Sequence, residues 1–488
     1  MADDDGGGTS GFEEGKGDES LRGGGLNVVP LHADPWLAPN WPLTHEAVVK
    51  IFRDRRGEDF LYFKVMGEAF RWTGHVWEND QCCIFEREVA ALCRDIGATQ
   101  KKKTPRAKVE GSGFIAGCVS RLRQELAASI DKFDKAEVFN MRTAAVSLKA
   151  NGSHWTAGAQ RREDFCSKMA GVTAMAGPCP MWLAFLDQIT EGDADMVAYL
   201  QRVAGYCATP FTSEQAFFFF YGSGGNGKGA FLRTLAAVLG DYAATASLEL
   251  FLASKFEQHT EELAALRGVR LVVASETGAG RHWNESKIKQ ISGGDPVRAR
   301  FMRQNSFEYW PTYKIVVSGN DQPTITDAGP ALRRRLQLVP FNVRVTPDPT
   351  FEKRMLEREG PAILAWVLDG VVTWRERGLD PPAAVVAATE EYFEEQDERR
   401  QWFDACCRLD TDWWEPTETA FQSWRKYAMA NGVFVGTKAA TTRWIKATHK
   451  LASKYARPKG GGEPRQCLMG MAVAANVDES VGSSYRDS

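Results

Sequence analysis

The sequence predicts an α/β protein with a three-layer αβα core, and three observations carry that prediction. Phe217-Phe218-Phe219-Phe220-Tyr221 is a short apolar run that reads as a buried strand, and it passes straight into Gly222-Ser223-Gly224-Gly225-Asn226-Gly227-Lys228-Gly229. The helical pattern Ala230-Phe231-Leu232-Arg233-Thr234-Leu235 follows without a break. From 217 to 345, further β-rich apolar runs alternate with helical segments, the pattern of a sheet covered by helices on both faces.

The glycine-rich turn is a phosphate-binding loop. Small residues let successive backbone N–H groups curl around an anion, the helix that follows directs its positive end at it, and Lys228 adds a point charge. All eight residues from Gly222 to Gly229 are therefore candidates for nucleotide contact. One position departs from the pattern: the residue after the lysine is normally Ser or Thr, whose hydroxyl ligates magnesium, and here it is Gly229.

Composition sets the bounds. The chain has 488 residues, 43% hydrophobic and 25% charged, enough for about two to four domains with cores of their own. No stretch approaches the roughly 18 consecutive apolar residues of a membrane helix, and the N-terminus has neither a basic start nor an apolar signal core, so a cytoplasmic location without membrane contact is expected. The ten cysteines include the adjacent pairs Cys82-Cys83 and Cys406-Cys407 and no C-x-x-C spacing, so they read as reduced thiols. A net charge of −3 gives no overall basic signal, and any nucleic-acid contact must come from local basic loops.

Along the chain, residues 1–30 read as a disordered acidic and glycine-rich tail. An α+β domain is expected over 31–175, with an aromatic hairpin (Phe70-Arg71-Trp72, Val76-Trp77), a helix over Ile84 to Ile96, and a basic connector Lys101-Lys102-Lys103-Thr104-Pro105-Arg106. A helical hairpin over 176–212 leads into the core at 213–345, a helical extension with its helix over Pro361 to Arg375 fills 346–385, and a small helical, winged-helix-like domain occupies 386–470 before a flexible tail at 471–488.

Within the core, the strand Val269-Arg270-Leu271-Val272-Val273-Ala274 delivers Ser275-Glu276 to its carboxyl end, where ligands sit in such folds. Glu276 is the candidate base for an attacking water. A second strand, Lys314-Ile315-Val316-Val317-Ser318, ends at Gly319-Asn320, and Asn320 can bond a terminal phosphate or the water. Arg333-Arg334-Arg335 precedes the strand Leu336 to Phe341, and Arg334 or Arg335 could reach a neighbouring subunit's nucleotide; structural ion pairing is the competing account. Between these strands, Lys289-Gln290-Ile291-Ser292-Gly293-Gly294-Asp295 leads to a hairpin in which Arg298, Arg300 and Arg303 interleave with Phe301 and Phe307. Cations with aromatics nearby suit a threaded single strand, and an ordinary exposed basic hairpin would look similar.

The order of these five elements resembles that of superfamily 3 helicases of viruses and mobile elements, and more closely the helicase part of the phage and plasmid primase-helicase family. Phe133-Asp134, Phe139-Asn140-Met141, Ser147-Leu148-Lys149 and Trp182 to Leu186 resemble the helical domain that precedes the ATPase there. The resemblance spans about residues 130 to 400. It implies an AAA+-like P-loop ATPase core, ATP and Mg2+ as cofactors, a hexameric ring in a bacterial host cytoplasm, and translocation on one DNA strand, generally 3′ to 5′. Single-stranded and forked DNA would be the partners, with a separate primase or replication initiator. On that pattern Lys228, Glu276 and Asn320 act from one subunit, Arg334 or Arg335 from the next, and Lys289, Arg298, Arg300 and Arg303 face the DNA.

Gly229 and Ser275 depart from the family, since both remove oxygen ligands from the magnesium's surroundings; Ser275, Glu276 and water are left to fill its shell. The roughly 100 folded residues before position 130 are too few for a primase domain. The region from Trp402 through Arg443-Trp444-Ile445-Lys446 to Gly460-Gly461-Gly462 resembles a winged-helix module with the glycines as wing turn, and a purely structural helical domain is the other reading. Two further functions compete with the helicase: a ring ATPase for DNA packaging, remodelling or defence, and a nucleotide-bound scaffold.

Overall fold

Five parallel strands in the order Leu336–Pro340, Phe217–Tyr221, Lys314–Gly319, Leu271–Ser275 and Ala243–Thr245 form the central sheet, and the chain reaches them after two smaller assemblies. The computed structural model describes residues 43–134, 137–148, 154–247, 250, 260–275, 285–301, 306–320, 330–395, 398–433, 435–457 and 463–474. They divide into two compact units, one running to Tyr62 and from Asn79 to Ala127, the other comprising Phe63–Glu78 and the chain from Ala128 onward.

The first unit holds α1 (His45–Arg56), all but the last residue of β1 (Phe60–Phe63), α2 (Ile84–Ala98), α3 (Lys103–Glu110) and α4 (Ser112–Glu125). The Thr44 hydroxyl accepts from Ala47 N at 3.2 Å and caps α1, while the Asp80 carboxylate accepts from Ile84 N and Phe85 N at 2.8 and 2.7 Å and starts α2. Phe52, Phe60 and Phe85 pack with ring centroids 5.5 to 5.7 Å apart at the centre of the unit. The basic connector is shorter than expected: α3 already begins at Lys103, because Pro105 falls in its first turn, where a missing N–H costs nothing.

The second unit opens with the aromatic hairpin, β2 (Glu68–Trp72) and β3 (Trp77–Asn79), closed by Thr73 N donating to Val76 O at 3.0 Å. A small antiparallel sheet follows, β4 (Val138–Asn140), β5 (Ala145–Ser147) and β6 (Ala157–Gly158), and then the helical hairpin α5 (Pro180–Thr190) and α6 (Ala194–Ala208). The expected domain at 31–175 is therefore split. Its second half packs on the core: Asn140 N donates to the Tyr242 hydroxyl at 3.0 Å, Phe139 stacks on Tyr242 at 4.8 Å, and Arg270 Nη2 donates to Val138 O at 2.6 Å.

The core runs β7 (Phe217–Tyr221), α7 (Lys228–Leu239), β8 (Ala243–Thr245), α8 (Thr260–Ala265), β9 (Leu271–Ser275), α9 (Glu285–Ser292), β10 (Val297–Ala299), β11 (Phe307–Tyr309), β12 (Lys314–Gly319), α10 (Pro330–Arg333), β13 (Leu336–Pro340), α11 (Phe351–Arg377) and α12 (Ala383–Glu395). The period of two in a strand explains the layers. Phe218 and Phe220 face a cluster with Trp182, Tyr199, Phe231 and Leu364, whereas Phe217 and Phe219 face one with Ala264, Ile288, Val297 and Tyr392. Helices cover both faces, as the sequence predicts.

Helix α11 overruns the expected start at Pro361 by ten residues. A proline inside a helix forfeits one backbone bond, yet Met355 before it and Ile363 and Leu364 after it are fully buried, and that packing holds the helix through. Its buried Glu359 accepts from Met181 N and Trp182 N, both at 2.9 Å, and so caps α5, whose first residue, Pro180, has no N–H to satisfy. Glu359→Ala leaves two buried donors unpaired and is expected to destabilise the protein by about 2–3 kcal/mol in urea unfolding. Replacing Glu359 by Gln, which keeps one acceptor oxygen, should lose less.

At the start of β12 the buried Lys314 ammonium donates to Thr209 O and to Thr312 O, the latter at 3.0 Å, and sits 5.0 Å over Tyr206. Burial pushes its pKa down to about 7. The unfolded chain keeps this proton to higher pH than the folded one, so stability should rise from pH 7 to 9, by at most about 1.4 kcal/mol per pH unit. Urea unfolding of Lys314→Met across that window should show the slope reduced.

The C-terminal region holds α13 (Glu398–Cys406), β14 (Cys407–Pro416), α14 (Thr417–Ala430), α15 (Lys438–His449), β15 (Ser453–Ala456) and β16 (Arg465–Val473) around Trp402, Trp424, Ile445 and Met471. An antiparallel sheet in the order β14-β16-β15 forms part of it, so the purely helical alternative does not hold. Its boundary also moves. Helix α12 packs on the core through Tyr392 and Phe393, with Leu338 N donating to Thr389 Oγ1 at 3.0 Å, so the region begins after 395 rather than at 386. Strand β16 runs past the expected tail start at 471; the 1–30 tail, residues 475–488, Lys149 and Gly460–Gly462 lie outside the described residues. Among the described residues, no helix is long and apolar enough to cross a membrane.

Candidate functional site

The loop from Gly222 to Lys228 leaves the carboxyl end of β7, a central strand of the sheet, and feeds the first turn of α7. Its path requires glycine at two crowded points. Gly222 has φ 154°, and a Cβ there would come 2.1 Å from Phe341 O; Gly227 has φ 83°, and a Cβ would meet Ile189 Cγ2 at 2.5 Å. Neighbouring chain fixes the loop: Val345 N donates to Gly225 O at 2.7 Å, and Asn226 Nδ2 donates to Phe341 O at 2.8 Å. Lys228 is 5% exposed, and its ammonium donates to Gly222 O at 2.8 Å and to Asn226 Oδ1 at 2.9 Å. Burial pushes its pKa down. Asn226 thus orients the lysine, a role the sequence does not reveal.

A cavity of about 620 Å³ lies over this loop. Gly224 to Ala230 form its floor, Asn320 comes in from the end of β12, and Phe185, Gln188, Arg233, Phe351 and Glu352 complete the wall. Asn320 is exposed and lies beside Gly224, so the structure brings together the loop and one of the predicted catalytic residues. Ser275 is exposed at the end of β9, in register with Ser318 of β12. Glu276 lies outside the described residues.

The two predicted arginines separate. Arg335 is 7% exposed and its Nη2 donates to Gln215 Oε1 at 2.8 Å, within the same chain. Arg334 is exposed. Arg333 lies over the Phe393 ring at 4.8 Å.

In the hairpin, β10 and β11 pair antiparallel and bury Val297, Ala299, Phe307 and Tyr309. Arg298 stands directly across from Glu308, an opposite-charge cross-strand pair that offsets its charge. Arg300 is exposed just beyond β10, beside Phe301, which stacks on Phe307 at 5.4 Å; Lys289 is half-buried on α9. Arg303 lies outside the described residues. Trp310, 62% exposed at the end of the hairpin, is an aromatic that the basic pattern of the sequence leaves unnoticed.

Two family models match parts of the chain. Residues 49–191 match the D5 N terminal like family, and residues 220–335, which include the whole loop and both strand ends, match a family described as of unknown function (DUF5906). The chain is 29% identical over 178 residues to "Putative helicase L207/L206" of Acanthamoeba polyphaga mimivirus, covering 36% of this chain and 18% of that protein. It is 28% identical over 302 residues to "Putative helicase 022R" of Frog virus 3 (isolate Goorha), covering 57% of this chain and 30% of that protein. The chain thus spans less than a third of the length of the curated relatives it matches. Among solved structures, the A form apo structure of the NrS-1 C terminal region aligns with a TM-score of 0.49 and 12% identity, over 87% of this chain and 98% of that one. With both matched regions in one chain and the motif order set out above, the protein resembles the phage and plasmid primase-helicase family.

Proposed function

We propose that the protein is an ATP-dependent DNA helicase of the superfamily 3 type, working as a ring on single-stranded DNA in the replication of a phage, prophage or plasmid. The observation that carries this reading is the convergence of the glycine-rich loop, a buried Lys228 and Asn320 on one cavity of nucleotide size at the carboxyl ends of adjacent parallel strands. The family and the viral relatives supply the direction of the reading, from nucleotide binding to strand separation. In it Lys228 binds phosphate, Asn320 and Glu276 position the water, Arg334 acts on the next subunit's nucleotide, and Arg300 with Trp310 faces the DNA strand.

The family also implies magnesium. Residues near the loop fit it poorly: Gly229 has no oxygen to offer, and Ser275 supplies one hydroxyl in place of a carboxylate, so no step is assigned to the ion. In the C-terminal region the order α13-β14-α14-α15-β15-β16 supports a winged-helix module, with Arg443 and Lys446 on α15. Forked duplexes with a single 3′ or 5′ arm, incubated with protein and ATP, test the proposal. Strand displacement that requires ATP and one polarity of arm supports it. ATP turnover that never opens a duplex would assign the chain to packaging or remodelling instead.

A further inference from the structure

We propose that the Arg233 guanidinium takes the place that a hydroxyl side chain and its magnesium ion hold in such loops, so that this site binds a nucleoside triphosphate without a divalent cation. The inference rests on the nucleotide-binding reading above. Its starting point is Gly229. A Cβ built there would lie 2.7 Å from Arg233 Nη1 and 3.4 Å from Cζ and Nη2. The guanidinium therefore fills the volume that a Ser or Thr side chain would take, and either residue would have to expel it.

Helical spacing makes this possible, because residues 229 and 233 lie one turn apart on the same face of α7. Glu352, in the first turn of α11, fixes the arginine: its carboxylate accepts from Nε at 2.8 Å and also from Nη2. That pairing uses one edge of the planar fork and leaves Nη1 toward Gly229 and the cavity, which Arg233 and Gly229 both line. The arginine holds the Glu352 carboxyl below its ordinary range, so both partners stay charged.

The carboxylates in the cavity wall do not form an alternative metal site. Glu352 is committed to Arg233, and Asp348 accepts from Thr350 N at 2.9 Å, from the Thr350 hydroxyl at 2.8 Å and from Arg354 at 2.9 Å. What the loop presents to a polyphosphate is a second fixed cation beside Lys228. A guanidinium suits that task, since it stays protonated and donates in a plane to phosphate oxygens.

The test is calorimetric titration of the full chain with a non-hydrolysable ATP analogue, in excess magnesium and in excess EDTA. For the unaltered protein the two affinities should agree within about threefold, and Arg233→Ala should lose about tenfold or more in EDTA. Glu352→Gln removes the charge of the same ion pair but keeps the arginine and one acceptor for it, so it should lose clearly less affinity in EDTA than Arg233→Ala. A role confined to tying α7 to α11 would instead make the two variants alike, and that result overturns the proposal. So does loss of binding by the unaltered protein in EDTA, or an Arg233→Ala protein that binds normally there. The double variant Gly229→Ser/Arg233→Ala should regain a magnesium requirement. If the unaltered protein binds the analogue under neither condition, the nucleotide-binding reading itself is overturned, and this proposal with it.

Discussion

Lys228→Met is expected to weaken nucleotide binding by about a hundredfold or more and to abolish turnover and strand separation, while the protein stays folded. The size follows from the setting. Lys228 is buried, and among the described residues its ammonium is held by two neutral oxygens, Gly222 O and Asn226 Oδ1. A cation taken out of water and given neutral partners keeps most of its unmet attraction for an anion, which is why burial pushes its pKa down. An arriving phosphate satisfies that demand. Methionine keeps the apolar stem, so the comparison isolates the charge, and the loop remains tied through Asn226 to Phe341 O and through Gly225 O to Val345 N. Equilibrium binding of an ATP analogue, with the unfolding midpoint measured alongside, checks both halves. A variant that binds normally would remove the loop from the nucleotide site.

What the sequence showed and what it hid divide along a physical line. Phe217 to Tyr221 is legible because a strand buried on both faces must be apolar throughout, and the glycine loop because few residue types tolerate its backbone. Asn320 is legible from the strand it terminates. Pairings across long separations are not. Arg334 and Arg335 are indistinguishable until Gln215, 120 residues away, is found bonded to one of them. Arg298 looks as available to DNA as Arg300 until the hairpin register puts Glu308 opposite it. Arg233 reads as an ordinary exposed helix residue until Glu352, 119 residues on, holds it over Gly229. A usable signal existed even there, since a missing hydroxyl at 229 directs attention to the residue one turn later on the same face. Strand β14 was hidden for a different reason: Asp is disfavoured in strands, the stretch from Arg408 to Asp412 is exposed on both faces, and its pairing register shifts between Leu409 and Trp414.

Arg334→Ala should lower the ATP turnover number by about a thousandfold with little change in nucleotide affinity, whereas Arg335→Ala should mainly destabilise the fold, by about 1–3 kcal/mol. The two neighbours differ in what holds them. Arg335 is buried and bonded to Gln215, so its loss strands a half-buried acceptor; Arg334 is exposed, and its removal leaves the buried packing of the chain untouched. An exposed, permanently charged side chain next to the sheet gains a strong partner only when another molecule brings one, and in a ring that partner is the adjacent subunit's nucleotide. This makes a mixing experiment decisive. Lys228→Met subunits retain Arg334 but cannot hold nucleotide, and Arg334→Ala subunits hold nucleotide but lack the arginine. Mixed in equal amounts, about a quarter of the interfaces should join an intact loop to an intact arginine, so turnover should reappear from two inactive proteins. Were Arg334 to serve its own subunit's nucleotide, no combination could restore activity, and the mixture would stay as inactive as its components.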